Sequence, residues 1–125
     1  MKWVSLYFSI KADHKIITDK IVRILKENLK DDSHLGHLKM MVISKEGYVK
    51  LNLTRWDEEP QITERVYLDK GEWKVIVNMR LEADEGLIDK ALEVLLDELS
   101  TYEIEITNKE VIIPLLKWGK FVRQE

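Results

Sequence analysis

EWKVIVNMRLEADEGLIDKALEVLLDEL, residues 72–99, reads as a strand running straight into a helix. Val75, Val77, Met79 and Leu81 recur at period two, with Lys74, Ile76, Asn78 and Arg80 on the opposite side. Asp84 and Glu85 then open a helix. Leu87, Ile88, Ala91, Leu92, Leu95, Leu96 and Leu99 form its broad apolar stripe. Gly86 in the first turn costs about 1 kcal/mol relative to alanine, so the stripe carries the assignment.

A second stretch repeats the pattern. In KWVSLYFSIKADHKIITDKIVRILKENL, residues 2–29, Val4, Leu6, Phe8 and Ile10 make one strand face. Asp13 fits a helix N-cap, and Ile17, Ile21, Ile24 and Leu25 follow at helical spacing, widened by Val22 and Leu29. With an offset of 71, Val4, Leu6, Phe8, Ile10, Ala12 and Asp13 fall on Val75, Val77, Met79, Leu81, Ala83 and Asp84. One gap later, Asp19, Lys20, Leu25 and Leu29 fall on Asp89, Lys90, Leu95 and Leu99.

Between and beyond the copies the pattern is all strand. Asp31–Asp32 end the first helix, and SHLGH reads as a loop broken at Gly36. Residues 37–45 and 48–55 form a hairpin around Glu46–Gly47, where Gly47 supplies a positive φ. LKMMVIS is apolar on both faces and therefore belongs inside the sheet. RWDEEPQ, residues 55–61, reads as a hinge. Another hairpin is expected from Ile62–Leu68 to Trp73–Leu81, turning at Asp69–Lys70–Gly71. Residues 102–107 and 111–116 are the last strands, joined through Asn108–Lys109–Glu110, with Pro114 marking an edge. The tail KWGKFVRQE is expected to fray unless Trp118 and Phe121 dock.

The expected fold is α+β: an antiparallel sheet with two helices on one face, in the order β-α-β-β-β-β-α-β-β. The chain reads as a single domain, residues 1–125, with half-repeats 2–55 and 72–118 compatible with a pseudo-twofold duplication of a βαββ unit. In topology this resembles two known types. One is the ferredoxin-like βαββαβ fold with extra strands. The other is the paired strand–helix–strand–strand module of GyrI-like effector-binding domains, whose pseudo-twofold sheet implies a cradle for a small ligand.

Composition narrows the chemistry. At 125 residues the chain holds one core without staples. With no cysteine, thiol catalysis, disulfides and cysteine-ligated metals are excluded. A cytoplasmic setting is expected, and the Lys- and Glu-rich, Pro-poor composition resembles heat-adapted proteins. The opening MKWVSLYFSI alternates apolar and polar residues and is not a signal sequence, and no stretch is apolar enough to span a membrane. Residues 1–56 hold 11 Lys/Arg against 6 Asp/Glu, whereas residues 57–107 hold 5 against 15. Those halves attract within one fold or across a homodimer, or the acidic half meets a basic partner.

Nucleophile elbows, phosphate loops and dinucleotide fingerprints are absent. KEGYVKLNL begins like an RNA-recognition strand with Gly47 and Tyr48 and then lacks its later aromatics, so nucleic acid is disfavoured. No metal site is expected; His34 and His37, near Asp31 and Asp32, are the side chains closest to one, at a spacing that matches no standard site. No cofactor is expected either. Glu64 is the one acid in phase with Ile62, Val66 and Leu68, an inward carboxylate suited to a cationic ligand or the solvated charge of an edge strand.

The uncovered sheet face is the candidate site. Trp3, Tyr7 and Ser9 of the first strand, Asn78 and Arg80 of the fifth, Arg65 and Tyr67 of the fourth, and Trp56 after the third are placed on it, joined by Lys50, Asn52 and Thr54. Aromatic rings beside cations and amides suit a ligand groove or a partner surface. The expected function is a non-catalytic binding or regulatory domain using this face for a small ligand or protein. The alternatives are an acidic inhibitor or immunity-like protein, an RNA-binding domain, and an enzyme without a familiar motif.

Overall fold

The computed structural model describes residues 2–67, 70–112 and 121–124. Its elements are β1 (Lys2–Asp13), α1 (His14–Leu29), a 3-10 turn (Lys30–Asp32), β2 (His34–Ser44), β3 (Gly47–Leu53), β4 (Gln61–Val66), β5 (Lys70–Glu82), α2 (Glu85–Leu99), β6 (Glu103–Ile112) and β7 (Phe121–Gln124). The strands form one seven-stranded sheet in the order β4-β3-β2-β5-β1-β6-β7. Each described neighbour pair is antiparallel.

β1 and β2 both run antiparallel to β5, which lies between them, so β1–α1–β2 is a split crossover between parallel strands. β5–α2–β6 is a second one, with β1 between its strands. With the right-handed sense such crossovers take, both helices land on the same face. The inner order β2-β5-β1-β6 is that of the ferredoxin-like fold. Adding β3 and β7 makes it symmetric: β3-β2-β5 on one side, β1-β6-β7 on the other. Among the described residues β4 is the strand without a counterpart.

The core forms where the two periodicities meet. Val4, Leu6, Phe8 and Ile10 of β1 and Trp73, Val75, Val77, Met79 and Leu81 of β5 are buried against the helices. Ile17, Ile21, Ile24, Leu25 and Leu29 of α1 and Ile88, Ala91, Leu92, Leu95 and Leu99 of α2 close the layer. Both helices begin alike. Asp13 accepts a hydrogen bond from the Lys15 amide at 2.8 Å, and Asp84 accepts one from the Gly86 amide at 3.0 Å. Each aspartate supplies an oxygen to one of the four amides a helix start leaves free.

Four expectations are corrected. SHLGH is not a loop: His34 opens β2, and a bulge lies between Leu35 and His37 in the pairing with β5. The extra residue at Gly36 shifts the phase, so Leu35 and Leu38 are both buried. β4 does not pair with β5. It pairs with β3, because β5 already has β1 and β2 on its two edges. Asn108–Lys109–Glu110 is no turn: β6 runs through it, bulging where Tyr7 pairs with Asn108 and Phe8 with Ile106. Phe121–Gln124 does not fray but pairs with β6. Pro114 and Trp118 lie outside the described residues.

The acidic connection after β3 is an anchored turn. The Glu58 amide donates to the Arg55 carbonyl at 3.2 Å, and Arg55 pairs with Asp57 at 3.4 Å and Glu58 at 3.7 Å. Trp56 holds it down: it is 6 % exposed, and its indole N–H donates to Ser33 Oγ at 2.9 Å. No helix among the described residues is long and apolar enough to cross a membrane.

Candidate functional site

The face without helices is built from alternate residues of adjacent strands. On β1 and β5 the outward residues pair as Trp3 with Arg80, Ser5 with Asn78, Tyr7 with Ile76 and Ser9 with Lys74. β2 continues the rows with His37, Lys39, Met41 and Ile43. β3 adds Tyr48, Lys50 and Asn52, and β4 adds Arg65, Thr63 and Gln61.

Local contacts order these side chains. The Arg80 guanidinium lies 5.5 Å from the centre of the Trp3 ring, and the Lys50 ammonium 5.2 Å from that of Tyr48. Ser5 Oγ donates to Asn78 Oδ1 at 2.7 Å, and His37 Nε2 lies 3.0 Å from Asn52 Oδ1. Met41, Ile43, Ile76 and Tyr48 are half-buried at the centre. Around them Lys39, Lys50, Arg65, Lys74 and Arg80 are exposed, against two outward acids on β2–β5, Glu72 and Glu82.

The residues expected at this site are divided. Trp3, Tyr7, Ser9, Asn78 and Arg80 share the open face of the neighbouring strands β1 and β5; Trp3 stands beside Arg80 with Asn78 one row on, while Tyr7 and Ser9 lie further along, opposite Ile76 and Lys74. Arg65 lies four strands from β1, about 19 Å away at the usual strand spacing. Tyr67 lies just beyond β4, 79 % exposed, with its amide donating to the Glu46 carbonyl at 2.8 Å. The expected β4–β5 hairpin, turning at 69–71, would have put both on the strand next to β5, Tyr67 near Lys74 and Arg65 near Ile76. Trp56 is not on this face: it packs in the core near the end of α1. Thr54 sits in the turn, its hydroxyl donating to Glu58 at 3.2 Å. What fills the gap is β2, whose Lys39, Met41 and Ile43 carried only the signal of being apolar on both sides.

A second feature lies on the helix side. β3 and β4 extend past α1, leaving a trough of about 470 Å³ between α1 and β4. Its floor is Val49 and Leu51; its walls include Val22, Pro60 and Ile62, and Ile62 is 53 % exposed. At one end the buried His14 Nε2 lies 3.5 Å from Glu64 Oε1. The His14 ring meets Trp73 edge-on, centroids 5.5 Å apart, and the Trp73 indole donates to the Ala12 carbonyl at 3.1 Å. The Thr18 hydroxyl donates to the His14 carbonyl at 2.7 Å, so it is not presented as a nucleophile. Glu64 was legible from its phase. His14 was not, because the first residue after an N-cap carries no burial signal of its own.

His34 and His37 fall on β2, paired with Glu82 and Arg80. Among the described residues no group of three or more His, Asp or Glu side chains is placed to hold a metal ion. No protein-family model, no curated protein and no solved structure matches the chain.

Proposed function

We propose that the chain is a non-catalytic binding domain whose open sheet face takes a protein partner presenting a row of acidic side chains. One observation carries the reading: Lys39, Lys50, Arg65 and Lys74 surround the half-buried Met41, Ile43, Ile76 and Tyr48 on four adjacent strands. Apolar contact at the centre with a charged rim is the anatomy of a protein interface. The central strands β2 and β5 present methionine and isoleucine where a single-stranded nucleic acid would want stacking rings. The domain is tested with poly-L-glutamate and with a single-stranded oligonucleotide. Saturable, salt-sensitive binding of the polypeptide, lost in Lys39→Glu/Lys74→Glu, is expected. Tighter binding of the oligonucleotide would replace the protein partner with nucleic acid, and binding of neither would overturn the proposal.

The acidic-partner alternative keeps a specific observation of its own. Glu85, Asp89, Glu93 and Asp97 recur every four residues along α2, all exposed. Among the described residues no ion pair joins them to the basic α1. A second copy therefore presents the kind of ridge that the open face suits, which is the form the expected homo-oligomer takes here. Salt-sensitive self-association in sedimentation, abolished by Asp89→Lys/Glu93→Lys, supports that partner. An unchanged monomer signal leaves a different acidic protein as the occupant.

A further inference from the structure

The trough between α1 and β4 lies on the opposite side of the sheet from the face discussed above and is independent of it. We propose that it is a binding site for a small organic cation, an amine with an apolar body, whose ammonium group is held by Glu64. The volume of about 470 Å³ suits a small molecule. Along α1 the trough runs from His14 to Lys26, about 18 Å at the helical rise. Leu51, Val22 and Ile62 give the body of the ligand an apolar bed.

The carboxylate decides the class of ligand. Glu64 occupies the helix-facing phase of β4, between Ile62 and Val66, where an apolar residue is the ordinary choice. It reaches His14 at 3.5 Å and is 40 % exposed. A carboxylate has about four lone-pair directions, and one imidazole nitrogen addresses at most one of them. The rest are directed into the trough or to solvent. His14 itself is fixed by burial and by the Trp73 ring and stands to one side of the carboxylate, which stays accessible to a donor. The rim carries three cations, Lys15, Arg23 and Lys26, against two acids, Asp19 and Glu59, and one of the cations, Arg23, lies 3.7 Å from Glu27 outside the lining. At the inner end Glu64 is the one acid, and an ammonium group there makes charge-assisted hydrogen bonds in partly dry surroundings.

An inward charge on an edge strand also serves to discourage strand-to-strand association, and that role alone needs no ligand. The two are separated with octylamine, octanol and octanoate as probes, followed by NMR of the His14 ring and the Trp73 indole in the full chain. Octylamine is expected to bind about tenfold or more tightly than octanol, with octanoate weakest, and to shift both signals. Glu64→Gln, which keeps shape at a 40 % exposed position, is expected to remove the preference for the amine and to leave octanol binding in place. Val22→Trp, which fills the trough, is expected to abolish both. Equal binding of amine and alcohol, or an amine preference that survives Glu64→Gln, would overturn the assignment and leave Glu64 as edge protection alone.

Discussion

Gly47→Ala is the most direct probe of how β4 is attached, because the structure fixes its cost at two points. Gly47 has φ +132°, a conformation that L side chains rarely adopt. Holding a non-glycine residue there costs about 1–3 kcal/mol. The second point is space. A Cβ at Gly47 would stand 2.1 Å from the Arg65 carbonyl oxygen and 2.8 Å from the Val66 Cα. Both neighbours are backbone atoms of β4, so no side chain can swing aside. The strand must move by about 1 Å or more to restore ordinary van der Waals separation. Moving β4 strains the ladder from Gly47–Val66 to Asn52–Gln61. A total of about 3 kcal/mol or more follows, a large part of the 5–15 kcal/mol typical of a domain. Urea unfolding followed by tryptophan fluorescence measures the global part. Amide exchange at residues 61–66 measures the local part, since an edge strand can detach before the core opens. Gly71→Ala is the control: its Cβ meets only the Trp73 indole nitrogen, at 3.9 Å. Stability within about 1 kcal/mol of the parent, with β4 amides still protected, would refute the argument.

Two tryptophans should behave oppositely. Trp73 is fully buried and donates to the Ala12 carbonyl, so Trp73→Ala is expected to cost about 3–5 kcal/mol. Trp3 is 42 % exposed, and Trp3→Ala should cost about 1 kcal/mol or less in the same denaturation assay; equal losses would show that the open face is covered in solution. Asp13→Ala and Asp84→Ala are each expected to lower stability by about 1 kcal/mol through loss of a cap. A thermal shift in one variant only would show that the two helix starts are not equivalent.

The inward half of the fold was legible because burial imposes periods. Val4, Leu6 and Phe8 repeat at two, Ile17, Ile21 and Ile24 at helical spacing, and both caps stand immediately before their stripes. Sheet order was less legible, since alternation says which face a residue takes but not which strand lies beside it. Ile62–Leu68 and Trp73–Leu81 are adjacent in sequence, and a short connection between them suggests a hairpin. The structure instead uses β5 as a hub between β1 and β2, which leaves β4 no edge there. Trp56 was misplaced for a related reason. Beyond the end of β3 the alternation no longer holds, and a turn can carry a ring back over the core. Bulges hid in the same way: Gly36 looked like a breaker, and 108–110 like a turn, because one inserted residue interrupts the period as a loop does.

The symmetric core and the candidate sites divide the molecule differently. Under the offset of 71, Leu6 falls on Val77, and these two residues are paired in the sheet. The pseudo-twofold therefore passes through the middle of the β1–β5 pair, and it carries Asp13 to Asp84, one cap to the other. Outward positions do not follow it. Trp3 stands where Lys74 stands, Tyr7 where Asn78 stands and Ser9 where Arg80 stands. β4 breaks the symmetry altogether, and five of its six residues are exposed, so it adds little to the core. It completes the trough with Ile62 and Glu64 on one side of the sheet and widens the basic patch with Arg65 on the other. β4 therefore borders both proposed surfaces, and Gly47→Ala, which displaces it, tests both at once.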